Sequence, residues 1–271
     1  MTNGAEQNIA RAVIASARSI LFTSGAGMGV DSGLPDFRGI EGFWRAYPAY
    51  RTLGLRFEQM ANPHWFAQDP ELAWGFYGHR HALYKGTSPH DGYALLAKLA
   101  SRLPTFAFTS NVDGQLQKAG FRDEAIVECH GAIGTLQCTT PCSDVLWDAG
   151  DLAIAIDQVT FRSVSALPRC ARCGAIARPN VLMFGDGQWV SDRTEAQELR
   201  LAQWLRGMAL DGLVVIECGA GTAVPTVRAL GERLARGGAK LIRINAREEG
   251  VPRGQIGIAS GAMDALRAIL D

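Results

Sequence analysis

The sequence has no excess charge of either sign: 27 lysines and arginines balance 27 aspartates and glutamates over 271 residues, at a pI near 7.0. That balance removes the global electrostatic case for nucleic acid or an anionic membrane surface as a partner. No run is long and apolar enough to span a bilayer, and Met1–Gln7 is polar where a signal peptide needs an apolar core. Internal repeats and low-complexity tracts are absent. Cysteine is scarce, six residues in all, and its spacing is not that of a secreted disulfide scaffold. The expectation is a soluble cytoplasmic protein, long enough for one large core with a smaller appended module.

What is present begins with short apolar runs that read as buried strands: 20–23, 105–109, 125–129, 213–216 and 240–244. Between them lie stretches of helical periodicity: 7–18 with Ile9, Val13, Ile14 and Ala17 on one face, 191–208 with Leu199, Ala202 and Leu205, 224–236, and a last helix carrying Met263, Leu266 and Ile269. Short apolar strands alternating with helices predict a doubly wound, mostly parallel sheet of the α/β class, whose ligands sit at the carboxyl ends of strands. Two segments stand apart. Residues 40–88 are rich in aromatics and are broken by Pro48, Pro63 and Pro70 into short helices; residues 131–179 hold four cysteines and little regular apolar pattern. Both read as insertions, so that 1–39, 89–130 and 180–271 build the nucleotide-binding domain, with extended structure resuming over 180–185.

The chain is organised around Thr23–Gly39, where Gly25, Gly27 and Gly29 alternate directly after the first strand. Such a turn lets the backbone lie against a ligand, and its N–H groups favour a diphosphate. A Gly-x-Gly alone is weak evidence, since many strand-to-helix turns carry one for conformational reasons. The second half, Gly33-Leu34-Pro35-Asp36-Phe37-Arg38-Gly39, is foreign to ordinary dinucleotide folds.

Three further constellations carry chemistry. Cys138/Cys142 and Cys170/Cys173 are two close pairs about 27 residues apart, a spacing suited to a closed, structural zinc site of four thiolates. Cys129 and Cys218 lie in apolar strands and read as core. Ser110, Asn111 and Asp113 follow one strand end; such residues usually serve turns, but they also suit a carboxamide, a water or a ribose hydroxyl. His130 with Gly131 follows another, where an imidazole is a natural general base near neutral pH.

These motifs, with Phe184-Gly185, Gly219-Ala220-Gly221 and Ile244-Asn245, occur in an order that resembles the sirtuins over nearly the whole chain. The resemblance implies a Rossmann-like domain with a small domain made of a zinc module and a helical module. It also implies NAD consumed as a co-substrate in the removal of acyl groups from lysine side chains of protein substrates, with release of nicotinamide and O-acyl-ADP-ribose. On this likeness, the acyl oxygen attacks the ribose carbon bearing nicotinamide, and His130 then acts as general base on a ribose hydroxyl. Gly25, Ala26, Gly27, Asp36, Phe37, Arg38, Ser110, Asn111, Asp113, Gly219, Gly221, Asn245 and Ala262 match cofactor contacts, Phe37 as the ring shielding the reactive ribose. Val181, Phe184 and Gly185 match the acyl-lysine tunnel and the strand that pairs with substrate backbone.

Trp74–Arg80 further resembles the segment of sirtuins that prefer acidic acyl groups. Tyr77 and Arg80 stand three apart on one helical face, where they would grip a succinyl or malonyl carboxylate; an aromatic core residue beside a surface arginine is the alternative. The chain also departs from the family pattern at Gly29, Ser110, Gln115-Leu116 and Gly219–Thr222, all near the expected cofactor. Two other readings therefore stand beside lysine deacylation. One is ADP-ribosyl transfer to protein, or NAD hydrolysis, at the same site; the other is a non-catalytic NAD-binding sensor. The presence of Asn111, Asp113 and His130 together argues for chemistry.

Overall fold

A computed structural model describes residues 3–35 and 39–271 of the chain. In chain order its strands are β1 (Ser19–Ser24), β2 (Thr105–Thr109), β3 (Ile126–Glu128), β4 (Gly131–Cys138), β5 (Trp147–Asp148), β6 (Ala177–Val181), β7 (Leu213–Cys218), β8 (Lys240–Ile244) and β9 (Ile256–Ile258). The helices are α1 (Asn3–Ala15), α2 (Gly39–Ala46), α3 (Pro48–Thr52), α4 (Phe57–Met60), α5 (Trp65–Gln68), α6 (Pro70–Gly86), α7 (Asp91–Ala100), α8 (Gln115–Lys118), α9 (Asp192–Arg206), α10 (Thr226–Arg236) and α11 (Ala262–Leu270).

Six strands make one all-parallel sheet in the order β3-β2-β1-β7-β8-β9. Ranked by chain position within the sheet this is 3-2-1-4-5-6, the doubly wound dinucleotide-binding order, with its switch point between β1 and β7. Every residue of β1 and β7 is buried, as expected of strands covered on both faces. Alternation divides them cleanly. Ile20, Phe22, Val214 and Ile216 join α1, α7 and α11 on one side, while Leu21, Val215 and Leu241 join α9 and α10 on the other.

The stripes on two helices are rotated from the expected ones. Ile9 and Leu199 are more than half exposed, and the buried positions are Ala10 and Ile14 on α1, and Thr194, Gln197 and Leu201 on α9. On α9 the cause is polar: Gln197 Oε1 accepts from Glu128 N at 3.0 Å and Thr194 Oγ1 donates to Glu128 O at 3.1 Å, so sheet-facing positions serve the end of β3.

Residues 131–179 are more regular than their sequence suggests. β4 pairs antiparallel with both β5 and β6, with a bulge between Ala132 and Leu136. β6 runs across residue 180, where the sequence reading returned to the nucleotide-binding domain. The extended structure expected over 180–185 ends at Val181. Beyond it Asp186, salt-bridged to Arg178, accepts from Met183 N and Gln188 N and folds the segment into a tight loop.

The aromatic segment forms α2–α6 and shares a core with this small sheet through Phe43, Tyr47, Trp74, Phe76, Phe161 and Ile133. Pro48 and Pro70 occupy first helical positions, where their missing N–H costs nothing, and Asp69 caps α6 by accepting from Leu72 N at 3.2 Å.

Candidate active site

The glycine turn after β1 is not an open phosphate cradle. It coils into two 3-10 turns, Ala26–Met28 and Val30–Ser32. The N–H groups of Gly25, Gly27, Met28 and Gly29 are already bonded, to Cys218 O, Gly219 O, Gly25 O and Ala26 O at 3.0–3.2 Å. The glycines are needed for a second loop. A Cβ on Gly25 would lie 2.8 Å from Ala220 Cα, and one on Gly219, where φ is +65°, would lie 2.3 Å from Met28 N. The turns after β1 and β7 thus dock backbone to backbone at the switch point.

Beside them opens a cavity of about 510 Å³, a size typical of small-molecule sites. Three strand ends and the glycine turn converge on it: Gly25 and Ala26 after β1, Ser110, Asn111 and Asp113 after β2, His130 after β3, and Gly221 after β7. Asn111 Nδ2 donates to Gly25 O at 3.1 Å, and Asn111 N donates to Thr109 Oγ1 at 3.0 Å, which ties the second loop to the first. Gly131 has φ +76°, and a Cβ there would meet Asn180 O at 2.0 Å, so only glycine lets the chain pass β6 immediately after His130.

Burial pushes the His130 imidazole below the ordinary 6.5, against an opposing effect of the Ser110 backbone. The ring is neutral at pH 7 and is able to accept a proton. Asp113 moves the other way, to about 6, because burial disfavours its charge and Glu128 adds repulsion, against the bond it accepts from Gln115 N at 3.0 Å. A neutral imidazole and a reluctant carboxylate share one chamber.

The same wall carries Tyr77, Arg80, Val181 and Phe184. Arg80 is not a surface residue. It is 6% exposed, and its guanidinium lies 5.2–5.9 Å from the ring centroids of Phe57, Phe76, Tyr77 and Tyr84. Among the described residues the Tyr77 hydroxyl, which is buried, has no hydrogen-bond partner. Phe184 is 41% exposed at the rim, held by its N–H on Ala61 O at 2.9 Å. Gly185 sits at the bend of its loop with φ +70° and lines neither this cavity nor the next.

Four expected cofactor contacts fall elsewhere. Gly27, Gly219, Asn245 and Ala262 border a separate hollow of about 120 Å³ between the ends of β1, β7 and β8. Asn245 is buried and engaged there: Nδ2 donates to Ala220 O at 2.8 Å, while Oδ1 accepts from Arg247 N and Glu248 N, each at 3.1 Å. Asp36, Phe37 and Arg38 lie outside the described residues.

Residues on the wall that sequence reasoning passed over include Tyr84 and Glu248. Glu248 accepts from Thr222 N at 3.1 Å and Thr222 Oγ1 at 2.9 Å. Tyr84 had a signal, being one helical turn after Arg80.

The sulfurs of Cys138, Cys142, Cys170 and Cys173 lie within 4.8 Å of one another, with Cys138–Cys173 and Cys142–Cys170 each at 3.6 Å and no disulfide among them. Zinc–thiolate bonds of about 2.3 Å in a tetrahedron place sulfurs roughly 3.8 Å apart, so this donor set fits zinc with no open position.

Residues 25–204 match the Sir2 family. The chain belongs to that family. It is 30% identical over 182 residues to the NAD-dependent protein deacylase of Aquifex aeolicus, covering 67% of each chain. To the NAD-dependent protein deacylase of Pyrococcus furiosus it is 32% identical over 194 residues, 70% of each. To the mitochondrial NAD-dependent protein deacylase sirtuin-5 of Canis lupus familiaris it is 31% identical over 193 residues, 65% of this chain and 59% of that one. The matched segments thus span about three fifths to seven tenths of these relatives. Among solved structures, a Sir2 homolog–NAD complex aligns with TM-score 0.74 and 25% identity over 97% of this chain and 92% of that one.

Proposed function

We propose that this Sir2 protein removes acyl groups from protein lysine side chains in an NAD-dependent reaction. The observation that carries the reading is the convergence of Asn111, Asp113 and His130 from separate strand ends on one cavity. That same cavity is also lined by a buried guanidinium, that of Arg80. NAD, when bound, supplies an activated ribose carbon as acceptor for the acyl oxygen. The residues of this chain provide the rest. Gly25 and Ala26 form the floor, Asn111 fixes the β2 loop against that floor, and Asp113 offers a carboxylate to a ribose hydroxyl or water. His130, neutral at physiological pH, takes the proton from a ribose hydroxyl. Val181 and Phe184 flank the lysine chain as it enters.

Arg80 and Tyr77 suit the cavity to an acyl group with a carboxylate, succinyl or malonyl, alongside acetyl: a buried fork of N–H donors and a buried phenol hydroxyl match two carboxylate oxygens. Six unpaired cysteines are in keeping with a reducing, cytoplasmic setting. Among the described residues no helix is long and apolar enough to cross a membrane.

The test is turnover of acyl-lysine peptide with NAD by wild type and by His130→Ala, both checked for fold by circular dichroism. Deacylation lost in a folded variant is expected. Full activity without the imidazole would refute its role.

A further inference from the structure

Beside the guanidinium that lines the acyl cavity sits a hydroxyl with no part in the reaction scheme. Arg80 Nε donates to Tyr84 Oη at 3.0 Å and Arg80 Nη2 donates to the same oxygen at 2.8 Å. One phenol oxygen therefore spans the side-on edge of the fork, the edge whose two parallel N–H groups would otherwise fit the two oxygens of a carboxylate. Both residues are buried, at 6% exposure each, and both border the cavity. The phenol is neutral, because burial pushes its pKa upward despite the nearby arginine.

We propose that Tyr84 is a specificity-determining residue, a built-in surrogate for the substrate carboxylate that widens the range of acyl groups accepted. The inference rests on the deacylase reading of this cavity. With an uncharged acyl group such as acetyl, the side-on edge of Arg80 stays bonded to Tyr84, and no buried donor is left bare on that edge. With an acidic acyl group, the carboxylate exchanges with the phenol, since it sets a full negative charge against the guanidinium and offers two oxygens, one to each parallel N–H, where the neutral phenol offers one. The exchange returns the Tyr84 hydroxyl to the cavity as a donor, beside the buried hydroxyl of Tyr77. Helix geometry makes this economical: Tyr77, Arg80 and Tyr84 recur at intervals of three and four along α6, so a single face presents all three. Removing the hydroxyl penalises acetyl, which offers those N–H groups no acceptor in its place, and spares succinyl, which does.

The experiment compares wild type with Tyr84→Phe on acetyl-lysine and succinyl-lysine peptides of identical sequence. Both the kcat/KM ratio and the direct binding ratio are read, the latter by calorimetry without NAD. The succinyl-to-acetyl preference should rise at least tenfold in Tyr84→Phe, in binding as well as in turnover. An unchanged or reduced preference overturns the proposal, a reduced one marking Tyr84 as an aid to carboxylate binding. If Tyr84→Phe melts early, Tyr84→Met is read in the same way. Acyl-peptide binding without turnover by wild type would sink the deacylase reading instead, while the binding ratio still decides the role of Tyr84.

Discussion

Arg178 and Asp186 are exposed at 1% and 0% of their side-chain surface, yet both carry charge. Arg178 Nη1 and Nη2 meet Asp186 Oδ2 and Oδ1 at 2.7 and 2.9 Å, and the same carboxylate accepts from Met183 N and Gln188 N. The pair thus sets the loop that carries Phe184 to the cavity mouth. Asp186→Asn keeps the shape and removes the charge, leaving a guanidinium buried without its counter-ion. Breaking a buried pair from one side costs about 3–5 kcal/mol, whereas replacing both partners with apolar residues is often neutral. Asp186→Asn should therefore lower stability by about 3–5 kcal/mol, and Tm by on the order of 10 °C. Arg178→Met with Asp186→Leu should recover most of that loss. Urea denaturation followed by tryptophan fluorescence measures both. The KM for acyl peptide should rise in Asp186→Asn because Val181 and Phe184 lose their anchor. A loss below about 1 kcal/mol, or a double variant worse than the single, would refute the reasoning.

Two further expectations follow from the same geometry. Cys173→Ala should drop bound zinc from one per chain to none by elemental analysis, and should melt the β4–β6 sheet that carries Val181; retained zinc would remove the cluster from that role. The acid limb of kcat/KM should fall below pH 6.5, since His130 is depressed from that value and Asp113 titrates at about 6; both reach the active form as pH rises, giving a plateau over pH 7–8. A limb centred above pH 7 would exclude this assignment.

Much of this molecule is legible in the amino-acid order, and the illegible part has a common cause. β1, β2 and β7 have continuous apolar centres because parallel strands are covered on both faces, so each stands out locally. The four thiols announce themselves by spacing. β6 does not, since Ala177-Arg178-Pro179-Asn180-Val181 looks like a polar loop. Its burial depends on partners elsewhere: Asp186 for Arg178, and Gln137 Oε1 with Val190 O for Asn180 Nδ2, at 2.9 and 2.8 Å. The glycine turn is a similar case. Gly25 reads as room for a ligand, but the space it leaves is filled by Ala220, almost two hundred residues on. Arg80 reads equally well as a surface charge, and only the rings of Phe57, Phe76, Tyr77 and Tyr84 around it make it a buried fork.

The central claim is that one cavity couples NAD cleavage to lysine deacylation, and product stoichiometry tests it most directly. Wild-type protein is mixed with NAD and succinyl- or acetyl-lysine peptide, and the products are resolved by mass spectrometry. One nicotinamide and one O-acyl-ADP-ribose for each lysine freed is the expected result. Nicotinamide released at the same rate without peptide, or ADP-ribose left attached to protein, would contradict it.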